Sequence, residues 1–245
     1  MIEIPADSFS KGNSMLVRFQ TRPEEIELDL NSAAVVVVDM QNAFACRGGV
    51  FDLAGMDVSP AGLLVDTIKG ILKTSRENGM QVVYLKMEFK ADLSNAGGPL
   101  SPNWKKELAL KLIEDRPDLE QKPLTEGTWD AGIVDPLNPH SGDLVVVKSR
   151  YSGFAGTNLD SLLRTRHIQF LFFVGMAANV CVESTLRDAF CLDYWPILIT
   201  DATLQAGPDL LLQATIQNVE KHFGWTLTSR EFLEALDLKP EGFRL

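Results

Sequence analysis

The feature that most constrains this chain is an alternation. Five short apolar runs, Ala33–Val38 (AAVVVV), Gln81–Leu85 (QVVYL), Asp143–Val147 (DLVVV), Gln169–Val174 (QFLFFV) and Pro196–Thr200 (PILIT), are separated by longer stretches whose apolar residues recur at helical spacing. Continuous runs rich in β-branched and aromatic residues read as strands covered on both faces. A sixth, weaker run covers Gly224–Thr228. The helical stretches are 60–78, 157–166, 180–192, 208–222 and 229–236. The first of them carries Leu63, Leu64, Ile68, Ile71 and Leu72 and stops at Asn78-Gly79. Alternation of this kind implies parallel strands with helices on both faces. The expected fold is α/β: a three-layer α/β/α sandwich around a mostly parallel sheet of about six strands. Residues 1–25 are polar and aperiodic and read as a loosely held N-terminal arm, with 26–240 as a single domain. The segment 86–142 is rich in Pro and Gly, contains Trp104 and Trp129, and is too long for an idle connection, so it is expected to shape a site.

Length and charge narrow the possible functions. A chain of 245 residues can bury a core that needs no disulfide or metal. Its 33 acidic and 23 basic residues give a net charge of −10, which argues against nucleic acid or a membrane surface as partner. No apolar run approaches the ~18 residues of a membrane span, and the start of the chain lacks the apolar segment of a signal peptide. Three cysteines, Cys46, Cys181 and Cys191, have no metal-type spacing and suit a reducing compartment, so a cytoplasmic location is expected. Histidine pairs at metal-binding spacing are absent, as are glycine-rich dinucleotide and triphosphate motifs. No metal or other cofactor is therefore expected.

In open parallel sheets, ligands bind beyond the carboxyl ends of the strands. The first strand ends in Asp39, the third in Lys148 and the fifth in Asp201. The fourth ends in Gly175 and leads to Cys181 at a helix start. An acid, a base and a thiol converge if strands one, three and four are neighbours. Each residue also has a plainer reading: a turn cap for Asp39, a solvated charge for Lys148, a small buried apolar group for a cysteine. Cys46 and Cys191 fit the last description. Cys181 follows a small-residue turn (Gly175, Ala177, Ala178), where unpaired N–H groups and the helix dipole are expected to lower a thiol pKa and hold an oxyanion. His140, His167 and His222 lie outside the strand-end segments. Asp39 is thus a better proton carrier for the thiol than any histidine.

Three segments, VVVVDMQNAF around Asp39, VVVKSRYSGF around Lys148 and GMAANVCVESTLRDAF around Cys181, resemble the isochorismatase-like cysteine hydrolases over about residues 22–237. Within that superfamily the chain is most similar to the ureidoacrylate amidohydrolases of pyrimidine utilization. The similar segments are AGGPLSPNWKK (Ala96–Lys106), EGTWD (Glu126–Asp130), DATLQAGP (Asp201–Pro208) and HFGW (His222–Trp225). The resemblance implies an Asp39–Lys148–Cys181 triad, a cis peptide between Met176 and Ala177, and an oxyanion hole from the N–H groups of Ala177 and Cys181. It further implies a homo-oligomer and cleavage of a C–N bond in a small ureido or carbamoyl acid through a thioester. Another small-amide hydrolase, or a silent binding module on the same fold, is the alternative. Substrate contacts are expected from Phe44, Phe89, Trp104, Trp129, Arg150, Tyr151 and Gln205, with Arg150 meeting a substrate carboxylate. Three positions depart from the family: Ala178 replaces the usual Thr, Lys86–Lys90 lacks the expected Asn and Trp, and Asn95 replaces an acidic residue.

Overall fold

The computed structural model describes residues 2–3, 14–119 and 121–237. A small sheet comes first in the chain, formed by β1 (Ile2–Glu3), β2 (Leu16–Phe19) and β3 (Ile26–Asp29) in the order β1-β3-β2. The main sheet contains β4 (Ala33–Val38), β5 (Gln81–Met87), β6 (Leu144–Lys148), β7 (Phe170–Met176), β8 (Trp195–Leu204) and β9 (Trp225–Leu227). Its order is β6-β5-β4-β7-β8-β9 and every pairing is parallel. The chain therefore starts in the middle, steps outward to β6, then crosses back to begin β7 on the other side of β4. That reversal is a topological switch point, where open α/β sheets bind ligands.

Helices α1 (Asn42–Ala45), α2 (Val50–Leu53), α3 (Ala61–Glu77), α4 (Pro102–Lys106) and α5 (Leu108–Asp115) precede β6. Helices α6 (Leu159–Thr165), α7 (Glu183–Cys191), α8 (Asp209–Asn218) and α9 (Ser229–Asp237) follow it. Every residue of β4 is buried, as a central strand covered on both faces requires. Ala33, Val35 and Val37 pack with α3, α9 and the small sheet, whereas Ala34, Val36 and Val38 pack with α6 and α7. The period-2 geometry of the strand thus divides one apolar run between two cores.

The hairpin of β2 and β3 corrects the expectation of a loose arm for residues 16–19, whereas residues 1 and 4–13 of that arm lie outside the described residues. Within residues 16–19 exposed and buried positions alternate. Phe19 is fully buried, with its ring centroid 5.0 Å from that of Phe172 and 5.8 Å from that of Phe232. Four residues of alternation inside a polar stretch are enough to make an edge hairpin. Truncating Phe19 to Ala would cost about 3–5 kcal/mol.

Two other expectations change. Asp201 does not end a strand: β8 continues to Leu204, with a register shift opposite Phe173 and Gly175. The exposed Asp201 carboxylate instead accepts hydrogen bonds from the N–H and hydroxyl of Ser229 at the start of α9. Strands β4 and β6 are not neighbours either, because β5 lies between them. One backbone contact matters for the site. Gly175 pairs with Val38 across β4 and β7, has φ +111°, and leaves no room for a Cβ, which would collide with the Val38 carbonyl.

Candidate active site

Asp39 is the first residue beyond β4 and adopts φ +49°, a left-handed conformation that Asp tolerates better than most residues. Lys148 is the last residue of β6, two strands away. Its long stem crosses β5 at Met87, whose Sδ lies 3.8 Å from Nζ. The ammonium then donates to Asp39 Oδ2 at 2.7 Å and to the carbonyl of Arg150 at 3.3 Å. The reach of the lysine therefore replaces the strand adjacency assumed from sequence. Both side chains are essentially without solvent contact, at 0% and 1% exposure. Oδ1 of Asp39 is buried and accepts no hydrogen bond among the described residues, so one acceptor position remains for a proton.

Cys181 comes from the opposite side of the switch point. It lies in a π-helical turn, Ala178–Val182, that joins β7 to α7, so it precedes the regular helix by two residues. The Met176–Ala177 peptide is cis. The carbonyl of Ala177 accepts from the N–H groups of Val180 and Val182. The buried thiol lies close enough to interact with both Asp39 and Lys148.

The electrostatics differ from those expected of a helix-terminal thiol. Burial and the Asp39 carboxylate push the Cys181 thiol well up, and Lys148 opposes this only in part. Burial beside a carboxylate thus works against the lowering that a helix position alone would give. Burial likewise raises the Asp39 carboxyl, against the pull of Lys148. Burial disfavours the Lys148 ammonium, but Asp39 and Cys181 outweigh it and hold the group charged beyond the ordinary lysine range. A carboxylate with raised affinity for a proton thus stands beside a thiol, with a cation held against the carboxylate. Cys46 and Cys191 are not the buried cysteines expected. Cys46 is half-buried, with Sγ 3.5 Å from Asn42 Oδ1, and Cys191 is exposed at the end of α7.

Asp39 and Cys181 open onto a cavity of about 220 Å³. Phe44 and Tyr151, both expected as contacts, line it, as do Ala177 and Cys181. Phe89, Trp104, Trp129, Arg150 and Gln205 are not among its lining residues. Phe89 is packed into the core, and Trp104 packs against that core. Trp129 is largely exposed. The Gln205 amide donates to Asp209. Arg150 turns its guanidinium onto the carbonyls of Asn95 and Ser149, which removes it as the expected carboxylate partner. The insert instead contributes Lys106, Glu107 and Leu108 from the junction of α4 and α5. Sequence reasoning missed these three, because nothing in the periodicity of so short a helix pair says which side faces the sheet.

Two further residues hold the site together. Gln41, fully buried, donates its side-chain amide to the carbonyls of Met87 and Ala131 and accepts from the Met87 N–H. It ties the ends of β4 and β5 to the insert with its amide hydrogens and oxygen all used. Thr185, one turn into α7, donates to the Cys181 carbonyl at 2.6 Å and accepts from the Gly153 N–H at 3.0 Å. It links the cysteine turn to the loop that follows Lys148. Among the described residues, no group of three or more His, Cys, Asp and Glu side chains is arranged to hold a metal ion. Nor is any described helix long and apolar enough to cross a membrane.

This geometry can be set beside known proteins. The Isochorismatase domain matches residues 33–231. The ureidoacrylate amidohydrolase RutB of Agrobacterium fabrum is 53% identical over 211 residues, covering 86% of this chain and 92% of that protein. A cysteine hydrolase from Pseudomonas syringae pv. phaseolicola superposes with a TM-score of 0.72 at 26% identity, covering 94% of this chain and 100% of the other. The N-carbamoylsarcosine amidase of Thermoplasma acidophilum does so with a TM-score of 0.59 at 27% identity, covering 86% and 99%. With a parallel sheet carrying an acid, a lysine and a cysteine at its switch point, and with these relatives over most of its length, the chain belongs to the isochorismatase family and is an amidohydrolase of that family.

Proposed function

We propose that this amidohydrolase cleaves the C–N bond of a small ureido or carbamoyl acid, through a covalent thioester on Cys181. The observation that carries the reading is the solvent-excluded Lys148–Asp39 pair at 2.7 Å, set beside a buried thiol on the wall of a cavity. In the first step the Cys181 proton passes to Asp39 as Sγ bonds to the ureido carbonyl carbon. Lys148 faces the developing negative charge on sulfur. The N–H groups of Ala177 and Cys181 receive the oxyanion, a placement supported by their position on the cavity wall. Collapse of the tetrahedral intermediate breaks the C–N bond, and Asp39 returns its proton to the departing nitrogen. A carbamoyl thioester remains. Water then gives its proton to Asp39 and attacks the thioester, releasing carbamate and restoring the thiol.

The names of the relatives, a ureidoacrylate amidohydrolase and an N-carbamoylsarcosine amidase, support the ureido or carbamoyl class. The cavity supports a small acid: its wall is mostly apolar, and exposed Lys106 supplies a cation there. The buried Met87 wall stands where the family resemblance leads one to expect a polar contact, so the proposal is the ureido class and not ureidoacrylate alone. Three unbridged cysteines suit the proposed cytoplasmic setting.

The test is kcat/KM for ureidoacrylate, 3-ureidopropionate, an N-carbamoyl amino acid, nicotinamide and a short aliphatic amide under one set of conditions. At least one ureido or carbamoyl acid should lead. A simple amide or nicotinamide ahead of all of them by tenfold or more overturns the substrate class.

A further inference from the structure

Asp39 and Glu107 are the two carboxylates that line the catalytic cavity. Asp39 is committed to Lys148 and to the thiol proton. Glu107 has no part in that chemistry, yet it is 3% exposed in a chamber otherwise walled largely by Phe, Met, Leu and Val side chains. Burying a carboxylate there is costly without donors. The first turn of α5 supplies donors: Oε2 accepts from the Leu110 N–H at 2.8 Å, so Glu107 is the N-cap of α5.

Capping does not explain the residue type. Ser, Thr, Asp and Asn are the preferred caps because their oxygens already lie within reach of the first free N–H groups. Ser, Thr or Asn would close α5 without placing a carboxylate on the cavity wall. Beside Glu107 stand Tyr151, whose hydroxyl donates to the Lys106 carbonyl at 3.3 Å, and Lys106 itself. The insert thus presents an acceptor and a cation side by side on the cavity that Asp39 and Cys181 also line. Burial pushes the Glu107 carboxyl up, while the Leu110, Ala109 and Leu108 N–H groups and the charge of Lys148 pull it down. Tyr151 is pushed up to about 12, by burial first and then by Glu107 and Cys181, which places all three in one electrostatic neighbourhood.

We infer that Glu107 is a specificity-determining residue whose carboxylate accepts a hydrogen bond from the N–H donors of the ureido group, selecting a carbamoyl over an acyl substrate. The inference rests on the ureido reading of the same cavity. A carbamoyl group and an acetyl group are nearly isosteric and differ in NH2 against CH3. A hydrophobic wall alone would favour the methyl. A buried carboxylate reverses that preference, because a methyl group leaves it facing an apolar surface without a donor.

The experiment compares the wild-type enzyme with Glu107→Ser, which keeps a good cap but shortens the side chain, and with Glu107→Gln, which keeps its length but not its charge. The readout is the ratio of kcat/KM for the fastest ureido acid, ureidoacrylate or 3-ureidopropionate, to that for its acetamido counterpart. Wild type should favour the ureido compound. Glu107→Ser should lower the ratio by about 10- to 100-fold, the loss of one charge-assisted hydrogen bond, while its melting temperature stays within a few degrees. Glu107→Gln should lower it by about threefold or more, since a neutral oxygen accepts more weakly. If Glu107→Ser does not fold, Glu107→Gln decides. An unchanged ratio in the folded variants overturns the assignment and leaves the ureido reading standing. A wild-type enzyme that turns over no ureido acid overturns both.

Discussion

The two walls of the cavity are built differently. On one side Asp39 and Cys181 extend from the central strands β4 and β7, and Lys148 reaches in from β6. Their geometry is held by parallel ladders and by Gln41 and Thr185. On the other side Lys106, Glu107 and Leu108 come from the junction of two short helices in a long insert. The first wall contains the groups proposed to react and keeps its ion pair out of contact with solvent. The second carries the groups proposed to tell one small acid from another. A fold of this kind can keep its chemistry fixed while the facing wall changes, because residues 88–142 add no strand to the main sheet and are tied to it at strand ends, as by Gln41.

The sharpest test of the division removes the nucleophile. Cys181→Ala should lower kcat by at least about 10³-fold, with the fold unchanged by circular dichroism and melting. Substantial turnover in this variant would dissolve the distinction between a reacting wall and a selecting wall. The next largest effect is on stability. Asp39→Asn leaves the Lys148 charge buried and unpaired, and should destabilise the protein by about 3–5 kcal/mol in a denaturant titration. Asp39→Asn combined with Lys148→Met should cost clearly less than the sum of the two single changes, since no lone charge remains. Additive losses would mean that the two groups do not act as a pair.

pH separates the walls a third way. Asp39 must be ionised to take the thiol proton, and burial raises its carboxyl. The acid limb of kcat/KM should therefore lie at a higher pH than an ordinary aspartate would give, with activity falling about tenfold per unit below it. A limb at the ordinary carboxylate position would assign the base elsewhere. The smallest effect belongs to the insert. Lys106→Met should raise KM for an acidic ureido substrate by about 5- to 20-fold, with little change in kcat and little change for a neutral amide. An equal loss on both substrates would show that Lys106 acts on the chemistry and not on the carboxylate.

The same division explains what could be read from sequence. Strand ends are legible because buried parallel strands announce themselves as continuous apolar runs, and the residue after each run has few places to go. Asp39, Lys148 and the Cys181 turn were found in this way, and the six strands with them. The long lysine stem was the hidden term that made strand adjacency unnecessary. The insert gave no such signal. Aromatic residues there were natural candidates for contacts, but Phe89 is spent on packing and Trp129 faces outward, while the cavity takes Glu107. Arg150 was a reasonable carboxylate partner by its distance along the chain from Lys148, until its guanidinium proved to bind backbone carbonyls. The thiol pKa was misjudged for a related reason: helix position is visible in a sequence, but depth of burial beside a carboxylate is not.

Gly175 gives the reacting wall its gauge. Where Gly175 faces Val38, the missing side chain lets the backbone of β7 lie against that of β4, one residue before Asp39 on one strand and two before Ala177 on the other. The gap between proton acceptor and sulfur is thus metered by main-chain contact, not by the packing of side chains that could drift from one relative to the next. A single methyl group added at this point would act as a shim, prising the acid from the nucleophile without touching either. Tolerance for change around the pocket and intolerance at this unremarkable glycine are two sides of one construction.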